Sequence, residues 1–269
     1  MKPDIREPLA RSDWWPLKRA VILSLTLIGG IALVGMVASA KQRLTGSTAP
    51  PKCVLYIGDS LSVGKFGELL HGYLARAFGP KNVALYASCG SSPESWLRGE
   101  PTFVTKCGYR EEAEDRYAVV DSVTRHATPK LEDLIARYRP SILIVQLGTN
   151  WMDRLMTGNP SKESEVRGYF HEFVVATRHS PVQEVIWIMP PDSSHYPRRV
   201  QELVAEVLRS GVASQNSWTL IESRPMTRPY ILGKTGRDGI HYNSQASADW
   251  AEKVIARLQR KSRWATVAY

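Results

Sequence analysis

Five short apolar runs, separated by helical segments, set the pattern of this 269-residue chain and limit the folds open to it. A continuous apolar run is typical of a strand that is buried on both faces. Such strands, alternating with helices, predict a mostly parallel five-stranded sheet with helices on both sides, because parallel neighbours need a crossover between them. The predicted strands are residues 53–57, 83–86, 142–147, 185–189 and 218–221.

Helical apolar periodicity covers most of the segments between and after these strands. Residues 91–127 differ, since they are polar, carry several aromatic residues and follow neither period, so we predict an irregular segment there. Ligands of parallel sheets bind beyond the carboxyl ends of the strands, and the residues there are the candidates for chemistry. The predicted helices are residues 63–78, 131–138, 163–178, 197–210 and 243–260.

Residues 20–40 are uncharged and apolar, and Trp14 and Trp15 precede them. A helix of this length spans about 30 Å at about 1.5 Å per residue, the thickness of a bilayer core. Five Lys or Arg residues precede the run and two follow it, which favours a cytoplasmic N-terminus. We therefore predict a cytoplasmic tail (1–19), a single-pass anchor in the inner membrane (20–40), a linker (41–51) and an exported, periplasmic domain (52–262).

A cleaved signal peptide is the alternative interpretation of the same run. Residues 38–40 resemble a small-residue cleavage site, although the apolar run exceeds the roughly 7–15 residues usual in a signal peptide. We favour the anchor, and both interpretations export the domain.

The net charge is +9, with many of the basic residues near the two ends of the chain. A nucleic-acid-binding protein would combine basic residues with stacking aromatics in a recognisable module, and none is present, so we predict no nucleic-acid partner. Attraction to an anionic membrane surface or envelope polymer fits this charge better. No His or Cys cluster has zinc spacing and no glycine-rich phosphate loop is present, so we expect no cofactor. The sequence does not indicate the oligomeric state.

Three predicted strands end in residues suited to acyl-transfer chemistry. Ser60 follows the first strand and precedes a helix, so its hydroxyl can enter a cleft beside backbone N–H groups that favour negative charge. Gly90 follows the second strand and can donate its backbone N–H to an oxyanion, and Asn150 follows the third and can donate its amide. The ordinary alternatives are a helix cap for Ser60 and plain turns for the other two.

The last loop pairs an aspartate with a histidine. Asp238 lies three residues before His241, so its carboxylate can orient the imidazole as the base for a serine. The alternative is a surface histidine near a helix start. Asp192 and His195 repeat this spacing after the fourth strand and form a rival pair.

In combination, these residues resemble the motif blocks of the SGNH (GDSL-type) hydrolase family over roughly residues 52–260. The matching positions are Gly58-Asp59-Ser60-Leu61-Ser62 for block I, Gly90 for block II, Gly148-x-Asn150 for block III and Asp238-x-x-His241 for block V. The resemblance favours the last pair over Asp192 and His195.

The resemblance implies a flavodoxin-like three-layer α/β/α sandwich. It also implies a catalytic triad of Ser60, His241 and Asp238, and an oxyanion hole formed by Ser60, Gly90 and Asn150. One departure is Trp151, at a place where many family members carry an aspartate.

The chain has three cysteines, and export permits disulfides. We predict a Cys89–Cys107 bridge, which would close a loop of about 19 residues, contribute roughly 3 kcal/mol in the chain-entropy model and hold the segment that carries Gly90. Cys53, at a strand start, would be a small core residue. Three free thiols are the alternative.

These expectations combine into a membrane-tethered serine esterase. An exported, basic domain suggests O-acetyl groups on an envelope or extracellular polysaccharide, such as peptidoglycan, as the substrate. The alternatives are a lysophospholipase or thioesterase acting on lipid or thiol esters, an acyltransferase with the same triad, and a catalytically silent envelope-binding domain. The aromatic candidates to shape the pocket are Trp96, Phe103, Tyr109 and Trp151.

Overall fold

Seven strands among the described residues form one mixed sheet at the centre of the fold. The computed structural model describes residues 53–99, 103–105, 107–120, 125–228 and 238–261. In chain order the strands are β1 (Val54–Gly58), β2 (Val83–Ser88), β3 (Tyr109–Ala113), β4 (Arg116–Val120), β5 (Ile142–Gln146), β6 (Glu184–Ile188) and β7 (Trp218–Ile221). Their order across the sheet is β4-β3-β2-β1-β5-β6-β7.

Five of these strands, β2-β1-β5-β6-β7, run parallel, and β3 and β4 form an antiparallel hairpin at one edge. The helices are α1 (Ser60–Val63), α2 (Lys65–Phe78), α3 (Pro93–Arg98), α4 (Leu131–Tyr138), α5 (Thr149–Leu155), α6 (Pro160–Arg178), α7 (Arg198–Ala213), α8 (Arg224–Thr227) and α9 (Ser244–Lys261). The predicted three-layer architecture with a mostly parallel sheet is confirmed. The strand count of five is wrong, because it misses the hairpin.

Strand β5, in the parallel part of the sheet, shows why the strands appear in the sequence as continuous apolar runs. Leu143 and Val145 pack into one hydrophobic cluster, with α4, α6 and α7, while Ile142 and Ile144 pack into the other, with α2 and α9. Successive side chains of a strand point to opposite faces, and here both faces are covered. Complete burial of such a side chain stabilises the fold by about 1.5–3 kcal/mol.

The hairpin β3–β4 lies within the segment that we predicted as irregular, and so does α3; that prediction is wrong. The first three residues of β3 are buried, and two of them, Arg110 and Glu111, are charged. Glu111 accepts hydrogen bonds from the hydroxyls of Tyr86 and Tyr109, at 3.0 Å each. Partners of this kind make burial of a charged strand tolerable, and a sequence pattern does not reveal them.

The predicted tail, anchor and linker, residues 1–51, lie outside the described residues. Within the described part of the chain, no helix has the length and apolar character that crossing a bilayer requires.

Candidate functional site

Ser60 is the first residue of α1, directly beyond the carboxyl end of β1. Asp59 separates the two elements and caps α1, since its Oδ1 accepts the N–H of Leu61 at 3.0 Å. The Asp59 carbonyl also accepts the N–H of Ser62 at 3.0 Å. Asp59 therefore shapes the turn that presents the partly exposed Ser60 at the edge of the sheet.

Buried hydrogen bonds tie this turn to the neighbouring strand. The hydroxyl of Ser62 donates to Oε1 of Gln146 at 2.7 Å and lies 2.6 Å from the hydroxyl of Tyr56. The N–H of Asp59 donates to the Gln146 carbonyl at 3.1 Å. Because these groups are fully buried, they hold the backbone beneath Ser60 in one arrangement.

His241 and Asp238 lie beside Ser60 and complete a chain of hydrogen bonds. Nε2 of His241 is 2.8 Å from Oγ of Ser60, and Nδ1 is 2.6 Å from Oδ2 of Asp238. The other carboxylate oxygen of Asp238 accepts the N–H groups of Ile240 and His241 at 2.9 and 3.1 Å. One aspartate thus closes its own loop and orients the imidazole toward the serine.

Two carboxyl groups near the imidazole have opposite pKa shifts. Burial acts to raise the pKa of Asp238, but the hydrogen bond from His241 and two backbone N–H groups lower it to about 2. Burial raises the pKa of Asp59 to about 6, although hydrogen bonding, chiefly from the Leu61 N–H, offsets part of this effect. Asp238 therefore stays ionised over a wider pH range than Asp59, and it is the carboxylate that is hydrogen-bonded to the imidazole.

The loop of His241 rests on the segment that follows β6. The Gly239 carbonyl accepts the N–H of Ser194 at 3.0 Å and the hydroxyl of Ser193 at 2.8 Å. Gly239 has φ of +70°, and a Cβ there would lie 2.6 Å from Oγ of Ser194 and 2.9 Å from the backbone nitrogen of His195. Glycine is therefore required here by both conformation and space.

The rival pair does not assemble. Asp192 is buried, with the Arg224 guanidinium 4.0 Å from its carboxylate, and its carbonyl accepts the Tyr242 hydroxyl. His195 is exposed and packs edge-on against Tyr196 at 4.8 Å. No hydrogen bond joins Asp192 to His195 in the part of the chain that the structure describes. These residues instead support the loop that carries His241.

The two further oxyanion candidates, Gly90 and Asn150, line one cavity of 590 Å³. Gly90 adopts φ of +78° in the turn after β2, and Asn150 is the second residue of α5, after β5. The Asn150 amide donates to the Ser91 carbonyl at 2.8 Å, which fixes its orientation and leaves its second hydrogen free to donate. Among the described residues, nothing accepts the N–H of Gly90 or of Ser60.

A disulfide joins Cys89 to Cys107, with 5.3 Å between the Cα atoms. Beside it, the N–H of Cys89 donates to the Gly108 carbonyl at 2.9 Å. The residue before Gly90 is therefore attached to the segment that leads into β3. Cys53 is a free thiol and only partly buried, so its predicted place in the core is wrong.

Of the four aromatic candidates, only Phe103 lines the cavity with Gly90 and Asn150. Trp96 and Trp151 are fully buried, and Tyr109 borders a different cavity. The Trp151 indole donates to Glu94 at 2.9 Å, and Arg154 binds the same carboxylate at 2.7 Å. Six of the nine residues that line this cavity have polar or charged side chains: Ser92, Glu94, Ser95, Asn150, Asp153 and Arg154.

Arg110 is a residue that the sequence analysis missed. From β3, its Nε donates to the carbonyl of Val63, the last residue of α1, at 2.7 Å. Its Nη1 binds Glu112, whose other oxygen lies 3.0 Å from Nδ1 of His71 on α2. Arg110 thus connects the hairpin to the short helix that starts at Ser60. An arginine inside a strand is the only signal the sequence offers.

Three comparisons set this geometry beside known proteins. No family model matches the chain, and no curated protein matches it. The structure named TesA shares 18% identity with a TM-score of 0.53, over 78% of this chain and 99% of that one. A catalytic mutant of the acetylxylan esterase Axe2 from Geobacillus stearothermophilus shares 14% identity with a TM-score of 0.52, over 81% and 97%. A lipase/acylhydrolase from Enterococcus faecalis shares 16% identity with a TM-score of 0.50, over 78% and 96%. These likenesses establish the fold.

Proposed function

We propose that this protein is a serine ester hydrolase that removes O-acetyl groups from an envelope or extracellular polysaccharide. The observation that carries the proposal is the hydrogen-bond chain from Ser60 through His241 to Asp238, at 2.8 and 2.6 Å. The fold is also one on which an acetylxylan esterase and a lipase/acylhydrolase are built.

The chemistry is acyl transfer to Ser60 followed by hydrolysis. As the hydroxyl attacks the ester carbonyl, Nε2 of His241 takes its proton, and Asp238 stabilises the imidazolium that forms. The N–H groups of Ser60 and Gly90 and the Asn150 amide stabilise the tetrahedral oxyanion. His241 then returns the proton to the leaving alcohol, and a water molecule that it activates releases the acetate.

The six polar or charged side chains in the cavity with Gly90 and Asn150 support a polar alcohol as the leaving group. A lysophospholipase or thioesterase for long chains needs an extended apolar channel, whereas charged groups such as Glu94 and Arg154 line this cavity. The side chains of His241 and Asp238 are nearly half exposed, which gives water ready access to an acyl-enzyme and favours hydrolysis over transfer to another acceptor.

The location remains part of the proposal. Export, with residues 20–40 as an inner-membrane anchor, would place the domain where acylated envelope polymers occur.

A fluorophosphonate probe followed by peptide mass spectrometry tests the proposal. We expect labelling of Ser60, loss of labelling in Ser60→Ala and in His241→Ala, and acetate release from acetylated xylan by the unmodified protein. Ser62→Ala is a poor control because Ser62 is buried and hydrogen-bonded, so the exposed Ser214→Ala serves instead. Absence of labelling in folded protein would favour the silent envelope-binding domain.

A further inference from the structure

A second cavity, of 690 Å³, opens beside the hairpin; like the cavity with Gly90 and Asn150, it is not lined by a residue of the proposed triad. Its charged lining comprises four cations and two acids, a net excess of two positive charges: Arg116, Arg125, Lys130 and Arg137, against Glu111 and Asp133. A concave surface with this excess attracts anions more strongly than isolated surface cations do.

Two of the four cations lack an acidic partner among the described residues. Arg137 is paired with Asp115 at 2.6 Å, and Arg116 approaches Glu111 at 3.5 Å. Arg125 and Lys130 are exposed, and among the described residues neither has an acidic group within 4.0 Å. In the described part of the chain, neither charge is neutralised by an ion pair.

The wall of the cavity contains a buried hydrogen-bond network and one partly exposed ring. Glu111 is buried, with the hydroxyls of Tyr86 and Tyr109 on its two oxygens, and the ring of His126 stacks on Tyr109 at 3.8 Å. The three buried groups satisfy one another, so the partly buried His126 imidazole is the group of this set that can bind a sugar hydroxyl. A concave site that combines unpaired cations with an imidazole suits a sugar-linked anion better than a flat membrane surface.

Two short segments, residues 103–105 and 125–128, form a strap that contributes to both cavities. The backbone N–H of Thr105 donates to the His126 carbonyl at 2.7 Å, and the backbone N–H of Thr128 donates to the Phe103 carbonyl at 3.1 Å. Phe103 lines the cavity with Gly90 and Asn150, while His126 and Thr128 line the second. One extended polymer could therefore contact both sides of the strap.

We propose that the second cavity is an accessory subsite for an anionic sugar of the same polysaccharide whose ester reacts at Ser60. This inference rests on the proposed function and narrows its substrate to acidic polymers. The anion is a carboxylate or a phosphate carried by a sugar or polyol unit.

Binding to the full-length Ser60→Ala protein tests the subsite without catalysis. We expect an oligogalacturonate or a glycerol-phosphate oligomer to bind more tightly than a neutral xylo-oligosaccharide, and the better of the two identifies the anion. Arg125→Gln with Lys130→Gln should weaken that binding about five- to tenfold. The matched control is Arg257→Gln with Arg260→Gln, which removes the same charge from exposed positions of α9.

A kinetic arm separates the two proposals. In a chain with intact Ser60, the double variant should lose about five- to tenfold in kcat/KM on acetylated polygalacturonate and keep its rate on 4-nitrophenyl acetate and its fluorophosphonate labelling. An unchanged preference for acidic over neutral oligosaccharide in the variant would overturn the subsite and leave the esterase standing. Binding confined to phosphatidylglycerol vesicles would also overturn it. Failed labelling of Ser60 would overturn the esterase and, with it, the accessory role of the subsite; preferential binding of the acidic oligosaccharide would then report a sugar-binding site without catalysis.

Discussion

The imidazole of His241 lies 2.8 Å from the hydroxyl of Ser60, although 181 positions separate the two residues along the chain. The rival His195 is exposed, and no hydrogen bond joins it to Asp192 in the described part of the chain. Replacing His241 with Ala should therefore lower kcat on 4-nitrophenyl acetate by about 10⁴-fold or more, because the proposed general base is lost. His195→Ala should change kcat only slightly. If His195→Ala lowered kcat more than His241→Ala, the role of general base would be assigned to His195.

Asn150 is expected to stabilise the transition state. Asn150→Ala should reduce kcat by about 10²–10³-fold with little change in KM, because an oxyanion donor acts mainly in the transition state. The amide also bonds to the Ser91 carbonyl, so thermal unfolding must be measured for the same variant. Asn159→Ala, at the exposed cap of α6, is the control. A change confined to KM would assign Asn150 to substrate binding.

Gly239 should be intolerant of a side chain. Gly239→Ala introduces strain at φ of +70° and a contact of 2.6 Å with Ser194, so the His241 loop must shift. We expect kcat to fall about 10- to 100-fold, since small displacements of catalytic groups are costly. Gly158→Ala is the matched control, because it has a similar φ of +67° with nothing within 4 Å of the added Cβ. Equal activity of the two variants would show that the loop accommodates the methyl group.

The Cys89–Cys107 disulfide should stabilise the fold and the turn at Gly90. Replacing both cysteines with serine should lower the free energy of unfolding by about 3 kcal/mol in the chain-entropy model, and should reduce activity by displacing Gly90, the proposed oxyanion donor. Cys53→Ser is the comparison, as that thiol is free. If mass spectrometry of the unreduced protein found three alkylated thiols, the disulfide would be absent and the prediction would be wrong.

Asp59 predicts a pH dependence of stability. Its pKa is raised to about 6 in the folded protein, above the ordinary value, so the folded state binds this proton more tightly than the unfolded state. Stability from this group is full below about pH 4 and is lost as pH rises to about 6, by roughly 3 kcal/mol. Asp59→Asn keeps an acceptor for Leu61 and removes the charge. The difference in the free energy of unfolding between the variant and the unmodified protein should therefore grow from about pH 4 to about pH 6, and urea unfolding measures it. A difference that stays constant with pH would refute the prediction.

The parallel part of the sheet could be predicted because a strand that is buried on both faces, such as β5, needs apolar residues at successive positions and therefore appears as an unbroken apolar run. The hairpin could not, because Arg110 and Glu111 are buried through specific partners on β2, β3 and α1. The helix α5 could not be predicted either, since Gly148 and Asn150 are typical of a turn; Gly148 does adopt φ of +124°, but the chain then enters a helix.

The polar residues of the candidate site could be predicted from the sequence, but the contacts that hold them in position could not. Ser60, Asp238 and His241 follow strand ends or share one turn, so topology and spacing point to them. The dependence of the His241 loop on Gly239 and the segment 193–195 arises from contacts between distant parts of the chain, which spacing does not encode.

The bond from Arg110 to the Val63 carbonyl has a consequence for protein engineering. Loops at a sheet edge are commonly chosen for trimming or for grafting from other proteins of the same architecture, on the assumption that the scaffold is indifferent to them. Here the edge hairpin fastens the far end of the helix whose first residue is Ser60. A chimera with a different hairpin at this edge would need a cation in the place of Arg110. Without it, the helix that begins at Ser60 would lose the hydrogen bond at its last residue.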